Sequence, residues 1–270
     1  MGDIRSALLV KPGEPFHLSK IDPESTPGCK DKEEGLARFQ KNIDRLSALQ
    51  YLLYADGKRS LLAVLQGIDA GGKDGTIRKV MSGLNPQGVT VTSFKAPAGV
   101  EMEHDYLWRV HKAMPRKGQM GIFNRSHYED VLIVRVHNLV PKEVWQKRYE
   151  QINQFEEMIA ESGTQIVKFF LYISKDEQKK RFEERIQDPE KNWKFSLGDL
   201  EERKYWNDYM EALEVATAKC SKSHAPWYVI PANRKWYRNL AVSEILRETL
   251  EEMKLQLPSP IAELAKIRFE

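Results

Sequence analysis

A glycine-rich segment followed by a lysine is the part of this sequence whose residue types most directly indicate chemistry. The glycine-rich loop, residues 67–72, follows the apolar residues 61–66 and precedes Lys73. Glycine lets backbone N–H groups approach an anion closely, and the N-terminus of a helix attracts negative charge. Lys73 adds a mobile positive charge. Gly67, Gly72 and Lys73 fit the spacing G-x-x-x-x-G-K, so the segment predicts a phosphate-binding P-loop.

One position departs from the usual form of this motif. Asp74 follows the lysine, where Ser or Thr normally contacts Mg²⁺. The hydroxyl of Thr76 and the carboxylates of Asp69 and Asp74 are the available replacements, because Mg²⁺ binds carboxylate, water and phosphate oxygens. A glycine-rich turn without a ligand is the alternative, and the order of strand, lysine and helix disfavours it.

A polar cluster follows a second apolar stretch, residues 119–124. It contains Asn124 at the strand end, then Arg125, Glu129 and Asp130. Ligands of an open parallel sheet bind beyond the carboxyl ends of its strands, so the cluster is predicted to lie beside the glycine-rich loop. Arg125 would neutralise a phosphate, and Glu129 and Asp130 would hold Mg²⁺ or contact an acceptor. Helix caps and surface ion pairs are the alternative roles.

A charged helix and the polar segment after it form the third candidate. Arg181 and Arg185 are four positions apart and therefore share one helix face. Residues 188–195 are polar, aromatic and basic, and they include Lys194. A mobile lid of this kind brings cations over a transferring phosphoryl group and excludes water. A solvated helical hairpin with ion pairs is the alternative.

Two further basic sites carry weaker signals. Lys95 follows the second predicted strand at the same sheet edge, where it either contacts phosphates or belongs to an ordinary turn. Residues 234–238, Arg-Lys-Trp-Tyr-Arg, begin the last predicted helix. They are expected on the surface, and contact with phosphate or with a neighbouring subunit is the other interpretation.

The predicted elements place these residues on one α/β sheet. Strands alternate with helices about five times, which indicates a parallel sheet with helices on both faces. The predicted strands are 61–66, 88–94, 119–124, 164–173 and 227–231, and the predicted helices are 32–54, 75–82, 100–114, 141–162, 175–186, 200–220 and 234–255.

The composition is that of an ordinary globular protein, with 41% hydrophobic and 30% charged residues. The net charge of +3 does not indicate a nucleic-acid partner. Cys29 and Cys220 form no CxxC pair, so neither a disulfide framework nor a zinc site is predicted. No membrane-spanning stretch or signal-peptide pattern is recognised, so a cytoplasmic location without a membrane partner is expected.

Three segments are expected along the chain. Residues 1–30 are interpreted as an N-terminal extension, strand-like at residues 7–10, that lies on the domain or on a partner subunit. Residues 31–255 are expected to form the P-loop domain, with the lid at about residues 182–204. Residues 256–270 are expected to form a C-terminal tail.

Four blocks of sequence together resemble the polyphosphate kinase 2 family. They are G-I-D-A-G-G-K-D-G-T at 67–76, F-N-R-S-H-Y-E-D at 123–130, residues 173–185 with W-K-F at 193–195, and A-P-W-Y-V-I-P-A-N at 225–233. The resemblance extends from about residue 32 to 255. The H-Y-E-D continuation is similar to the class III branch, whose members phosphorylate both AMP and ADP.

The resemblance implies an enzyme with a P-loop kinase-like, three-layer α/β/α fold, a parallel sheet and a helical lid. It implies Mg²⁺-dependent, reversible transfer of the terminal phosphoryl group of inorganic polyphosphate to AMP and ADP. Other nucleotides and Mn²⁺ are further candidates, and a homo-oligomer, a tetramer, is expected. The alternatives are an ATP-dependent nucleoside monophosphate kinase and a non-enzymatic P-loop module that binds nucleotide or polyphosphate.

The resemblance also assigns roles to single residues. Asp69, Lys73, Arg125 and Arg181 are the expected catalytic residues. Asp69 is expected on the metal and Lys73 on phosphate, and Asp130 is the second expected metal ligand.

Asn124 stands where several family members carry Asp, so a metal contact at this position is left open. The expected phosphate- or nucleotide-binding residues are Gly71, Gly72, Asp74, Gly75, Thr76, Lys95, Asn124, Glu129, Arg185 and Lys194.

Overall fold

The fold is built on a five-stranded sheet whose four strand pairs are parallel. The computed structural model describes residues 3–260 and residue 267. The strands lie in the order β2-β3-β1-β4-β5, so β1 is central, and all of its residues are buried. The strands are β1 Ser60–Gln66, β2 Val89–Ser93, β3 Met120–Asn124, β4 Thr164–Tyr172 and β5 Trp227–Pro231.

Helices connect the strands and cover both faces of the sheet, as the alternation of predicted elements indicates. The described α-helices are α1 Ile4–Leu8, α2 Lys32–Asp56, α3 Lys73–Val80, α4 Trp108–Lys112, α5 Ile133–Val136, α6 Lys142–Glu161, α7 Lys175–Gln187, α8 Leu197–Glu202, α9 Trp206–Cys220 and α10 Lys235–Glu252.

The central strand is apolar on both faces because both faces are covered. Successive side chains of a strand point to opposite faces. In β1, Leu61, Ala63 and Leu65 belong to the core that includes α2 and α10, whereas Leu62 and Val64 pack with residues of α6. This packing explains why the strand is a continuous apolar run.

The predicted helix over residues 100–114 is wrong for most of its length. Gly99–Glu103 forms a 3₁₀ helix, and only Trp108–Lys112 is α-helical. The Asp105 side chain accepts a hydrogen bond from the Leu107 N–H at 2.9 Å, and its carbonyl accepts one from the Trp108 N–H at 3.1 Å. Local bonds of this kind compete with a continuous helix.

The N-terminal segment packs on the sheet domain, and the strand-like prediction at residues 7–10 is wrong for Ala7 and Leu8, which are helical, whereas Leu9 forms an isolated antiparallel bridge with Tyr228 of β5. Asp3 caps helix α1 by accepting a backbone N–H at 3.1 Å. Ile4 and Leu8 are buried in the core, and the Val10 N–H donates to a carbonyl group of β5 at 2.9 Å. The segment therefore begins as a short helix that covers the edge of the sheet.

The predicted helix over residues 200–220 is divided into α8, a 3₁₀ turn at Arg203–Tyr205, and α9. The lid region contains the second half of α7, a 3₁₀ turn at Asn192–Lys194, and α8. Much of the predicted tail lies outside the described residues, and the division into three segments stays a prediction. Within the described part of the chain, no helix combines the length and apolarity needed to cross a membrane.

Candidate active site

The glycine-rich loop turns the chain from β1 into α3 through residues with positive φ. These include Gly67 at 153°, Ala70 at 60° and Gly72 at 103°. A Cβ atom on Gly67 would lie 2.9 Å from the carbonyl oxygen of Leu171, so no larger residue fits without a shift of β4. Gly72 is the N-cap residue of α3, and no side chain caps this end. The N–H groups of the first helical turn are therefore available to an anion.

Lys73 is buried and folds back onto the loop. Its Nζ donates to the carbonyl oxygens of Gly67 at 2.6 Å and Ile68 at 3.2 Å. Burial lowers the pKa of Lys73, and the charge of Arg125 lowers it further. An ammonium group has three donors and rotates freely, so these carbonyl contacts can be exchanged for phosphate oxygens.

Arg125 joins the end of β3 to the glycine-rich loop. Its N–H donates to the Leu65 carbonyl at 3.0 Å, and its Nη2 donates to Asp69 Oδ1 at 2.7 Å. Its Nη1 lies 3.8 Å from Glu129 Oε2. Burial acts to lower the pKa of Arg125, but Glu129 and Asp69 outweigh it and raise the pKa. The guanidinium is thus held positive between two carboxylates.

A cavity of ≈ 200 Å³ opens beside these charges. Asp69, Arg125 and Glu129 give it a charged floor. Apolar, aromatic, polar and charged residues form the rest of its wall: Gln66, Gly67, Ile68, Leu132, Ile133, Trp206, Tyr209, Leu213, Gln178, Glu202 and Arg203. The cavity therefore combines an anion-binding floor with a wall that can pack against a ring.

Glu129 and Asp130 are neighbours in sequence but face different surroundings. Glu129 lines the cavity, and burial raises the pKa of its carboxyl group despite the nearby charges of Arg125 and Lys73. Asp130 Oδ1 instead accepts a hydrogen bond from Arg148 Nη1 at 3.0 Å. Burial also raises the pKa of Asp130, and Arg148 opposes that shift.

The polar residues just after Lys73 do not line the cavity. Asp74 is exposed, with its Oδ1 accepting from Asn124 Nδ2 at 2.7 Å and its Oδ2 lying 3.7 Å from Lys194 Nζ. Thr76 is buried, and its hydroxyl donates to the Gly72 carbonyl at 3.0 Å. The Thr76 hydroxyl is thus bonded to the backbone here, and its predicted role beside a phosphate or metal stays a prediction.

Arg181 lies beneath the loop with acceptors already in place. Its Nη1 donates to the carbonyls of Ala70 at 3.0 Å and Gly71 at 3.2 Å. Its Nη2 donates to the carbonyls of Ala232 at 2.6 Å and Asn233 at 3.1 Å. In this arrangement Arg181 ties the loop to the residues after β5, and its catalytic role in the lid stays a prediction.

Arg185 and Lys95 lie at the margins of the site. Arg185 Nη1 donates to Asp199 Oδ2 at 3.3 Å and so links α7 to α8. Burial raises the pKa of Asp199, and the charge of Asp69 adds to that effect, which places this part of the lid near the site. Lys95 is exposed after β2, two strands away from β1.

Sequence patterns did not single out Gln178 and Tyr209, which both line the cavity. Gln178 Nε2 donates to the Asp69 carbonyl at 2.9 Å, and its Oε1 accepts from Arg203 at 2.8 Å. The Tyr209 hydroxyl donates to Glu202 at 2.7 Å. Gln178 belongs to the E-Q-x-x-R-F block and could have been found there, whereas α9 offers no comparable motif around Tyr209.

Asp69 suits a divalent metal better than Asp130 does. Over residues 3–260 and residue 267, no group of three His, Cys, Asp or Glu side chains is arranged to hold an ion. Mg²⁺ commonly takes one or two carboxylates and completes its shell with water and substrate phosphates. Asp69 and Glu129 both line the cavity and could supply these carboxylates, whereas Asp130 does not line it; Asp69 is paired with Arg125 and Asp130 with Arg148.

Comparisons with known proteins extend over nearly the whole chain. The sequence profile of polyphosphate kinase 2 matches residues 29–258. The AMP/ADP-polyphosphate phosphotransferase of Meiothermus ruber is 55% identical over 262 residues, which cover 97% of this chain and 98% of that protein. The ADP-polyphosphate phosphotransferase of Rhodopseudomonas palustris is 47% identical over 261 residues, 92% of this chain and 90% of that protein.

A solved structure agrees with the fold described above. The crystal structure of polyphosphate kinase 2 from Arthrobacter aurescens TC1 is similar with a TM-score of 0.94 at 46% sequence identity, and the match covers 97% of this chain and 94% of that one. The likeness confirms the P-loop kinase-like α/β fold that the sequence predicts. This chain belongs to the polyphosphate kinase 2 family.

Proposed function

We propose that this protein transfers the terminal phosphoryl group of inorganic polyphosphate to AMP and to ADP, forming ADP and ATP, and that the transfer is reversible. The observation that carries the proposal is the end-to-end likeness to the Meiothermus ruber protein, whose name states this activity. The site geometry supports it, because an uncapped helix N-terminus, Lys73 and Arg125 converge beside the cavity.

The cavity suits the nucleotide acceptor. Aromatic and apolar side chains such as Trp206 and Ile133 would pack against the base and ribose. Arg125 on the floor would bind the acceptor phosphate, since guanidinium groups match phosphate oxygens with two parallel donors. An AMP or ADP molecule bound this way directs its terminal phosphate toward the glycine-rich loop.

The glycine-rich loop suits the donor. Its backbone N–H groups and Lys73 would hold the terminal phosphates of polyphosphate at the start of α3. Arg185 and Lys194 of the lid would add positive charge when the lid closes, and closure would exclude water from the transfer.

Transfer between phosphates needs positioned cations more than it needs a general base. The acceptor phosphate is already an anionic nucleophile near neutral pH, and charge spreads over the phosphoryl oxygens in the transition state. Lys73 and Arg125 would stabilise that charge. His127 lies two residues after Arg125 in the sequence, but it is buried with its Nε2 3.0 Å from Glu156 Oε1. It is therefore not placed to act as a general base.

We include Mg²⁺ in the proposal, with Mn²⁺ as the second candidate. Asp69 would hold the ion and Glu129 would assist directly or through water. When bound, the ion would neutralise phosphate charge and orient the reacting groups. Asn124 is bonded to Asp74 and is not needed in this ligand set.

The test is a matrix of donors and acceptors followed by phosphorus NMR. Polyphosphate and ATP are offered as donors, AMP, ADP, GMP and GDP as acceptors, each with and without Mg²⁺. We expect AMP to be converted to ADP, and ADP to ATP, when polyphosphate and Mg²⁺ are present. A preparation that makes neither would rule the proposal out.

The same matrix separates the alternatives. An ATP-dependent monophosphate kinase would phosphorylate AMP with ATP while polyphosphate stayed inert. A non-enzymatic binding module would bind nucleotide or polyphosphate without turnover. The names of the relatives favour polyphosphate as the donor over ATP.

The proposal also includes a homotetramer that acts in the cytoplasm, where its nucleotide substrates are, and that has no nucleic-acid partner. The near-neutral charge balance of +3 supports the last point. Light scattering coupled to size exclusion measures the subunit number directly, and a monomeric mass would contradict the tetramer.

A further inference from the structure

The first turn of helix α10 contains an arginine that is buried without a carboxylate partner in the described part of the chain. Arg238 is 4% exposed. Its Nε and Nη2 donate to Asn239 Oδ1 at 3.2 Å and 2.9 Å. Its Nη1 has no hydrogen-bond acceptor within the described part of the chain, and no ion pair there includes Arg238. The sequence placed residues 234–238 at the surface, which is wrong for Arg238.

The unpaired edge of this guanidinium faces the start of α3. A Cβ atom on Gly72 would lie 2.0 Å from Arg238 Nη1 and 3.5 Å from Arg181 Nη1. A Cβ atom on Gly75 would lie 3.4 Å from Arg238 Nη2. Both glycines therefore leave room for the guanidinium against the backbone of the helix N-terminus.

Two buried arginines meet at this point, and their charges are not equally compensated. Arg181 donates to Glu177 Oε1 at 2.7 Å as well as to backbone carbonyls, whereas Arg238 has only a neutral amide as its acceptor. Burial lowers the pKa of Arg238 to about 10, and the charge of Arg181 adds to that effect. A buried charge without a partner is costly, so an anion bound here would relieve the cost.

We propose that Arg238 is a phosphate-binding residue, with Nη1 donating to an oxygen of a polyphosphate unit held at the N-terminus of α3. This assignment rests on the proposed function. The donor is the ligand concerned because Arg238, Gly72 and Gly75 do not line the acceptor cavity, which lies on the Asp69 and Arg125 side of the loop. A chain of phosphates is long enough to reach both the reacting position and Arg238, whereas the phosphates of AMP or ADP are required in the cavity.

The test compares Arg238→Lys and Arg238→Gln with Arg234→Gln as the matched control. Arg234 is in the same segment, but its side chain is 51% exposed and its Nη2 lies 3.8 Å from Glu24 Oε2. We expect both Arg238 variants to raise the KM for polyphosphate about tenfold or more, because one charged hydrogen bond to the donor is lost. The KM for ADP should stay unchanged. Binding of inorganic tripolyphosphate, followed by calorimetry without nucleotide, should weaken to the same extent. Arg234→Gln should match the unmodified protein in every measurement.

The experiment distinguishes failure of the Arg238 assignment from failure of the proposed function. If the unmodified protein shows no polyphosphate-dependent turnover, the proposed function fails, and tripolyphosphate binding still tests Arg238. If the Arg238 variants fold but change only kcat or the thermal midpoint, with tripolyphosphate binding intact, Arg238 is structural and the assignment is overturned. Failure of both Arg238→Lys and Arg238→Gln to fold would overturn it in the same way.

Discussion

Two clusters of charge each take residues from the short stretch of chain after β3. The open cluster consists of Asp69, Lys73, Arg125 and Glu129. The interior cluster consists of His127, Tyr128, Glu156 and Lys168, all with fully buried side chains. The 3₁₀ turn His127–Val131 sends His127 and Tyr128 inward and Glu129 toward the cavity.

The interior cluster satisfies its lysine and its glutamate, although His127 Nδ1 is buried without a hydrogen-bond partner in the described part of the chain. Lys168 Nζ donates to the Tyr128 hydroxyl at 2.8 Å, to the Cys220 carbonyl at 2.7 Å, and to Glu156. These bonds use all three donors of the ammonium group. Burial acts to raise the pKa of Glu156, but Lys168 and His127 outweigh it and hold the pKa below its ordinary value.

The open cluster is incomplete by comparison. The side chains of Arg125 and Asp69 are 37% and 28% exposed, and Lys73 is bonded to carbonyls rather than to a carboxylate. Burial lowers the pKa of Lys73 and raises that of Glu129, so both groups are held in unfavourable surroundings. An exposed cluster whose lysine has no carboxylate partner is suited to bind a ligand, whereas a buried cluster around a paired lysine stabilises the fold.

The largest expected effect is in the open cluster. Lys73→Met keeps the length of the side chain and removes its charge, so kcat for ATP formation should fall by about 10²–10³-fold or more, the usual cost of one transition-state donor. Lys79→Met, an exposed lysine on the same helix, is the control and should leave kcat unchanged. Steady-state rates with polyphosphate and ADP provide the measurement. Activity that survived Lys73→Met would remove this residue from the transfer step.

The interior cluster should respond in stability instead. Lys168→Met leaves Glu156 buried without its ammonium partner, and breaking a buried pair in this way costs about 3–5 kcal/mol. Urea unfolding should show this loss, while kcat of the folded protein stays within about twofold. Adding Glu156→Gln should restore part of the stability because it removes the stranded charge. A kcat loss as large as that of Lys73→Met would show that the two clusters are one functional unit.

A smaller effect of opposite sign is expected at Glu129. Burial raises its pKa in the folded protein, so the folded state binds the proton more tightly than the unfolded state. Its favourable contribution is present below the unfolded pKa of about 4.3 and is lost as pH rises through the folded value. Glu129→Gln should therefore stabilise the protein at neutral pH, by about 1 kcal/mol, and lower kcat.

Thermal midpoints measured from pH 4 to 8 test the Glu129 prediction. The increase in thermal midpoint caused by Glu129→Gln should be greatest at pH 8. It should shrink toward pH 4, because the carboxyl group of the unmodified protein becomes protonated as pH falls. Lower stability of the variant at pH 8 would mean that Arg125 and Lys73 hold the carboxylate more strongly than burial opposes it.

Local patterns predicted the sheet and much of the open cluster. Four of the strands are largely apolar runs and β2 alternates Val with Thr, and Arg125 and Glu129 follow from the rule that ligands bind beyond strand ends. Side-chain direction inside the 3₁₀ turn could not be predicted, because one step along it separates Glu129 in the cavity from Asp130 beside Arg148. Contacts between distant segments could not be predicted from local patterns either. Arg238 meets the glycine-rich loop because α10 packs against α3.

The smallest effect is expected at Asp74, which the sequence motif places next to the lysine but the structure leaves outside the cavity. Its side chain is 69% exposed, with Asn124 as its hydrogen-bond partner and Lys194 as its ion-pair partner. Exposed pairs contribute about 0–1 kcal/mol, so Asp74→Asn should barely change stability. The KM for polyphosphate should change by less than about threefold, and a fall is the expected direction because a negative charge near the donor is removed.

Kinetics at low and at high salt would check this, since a screened surface charge loses its influence at high salt whereas a member of the open cluster does not. A hundredfold loss of kcat would instead show that Asp74 acts together with the open cluster. It would mean that the loop adopts a different conformation around a ligand.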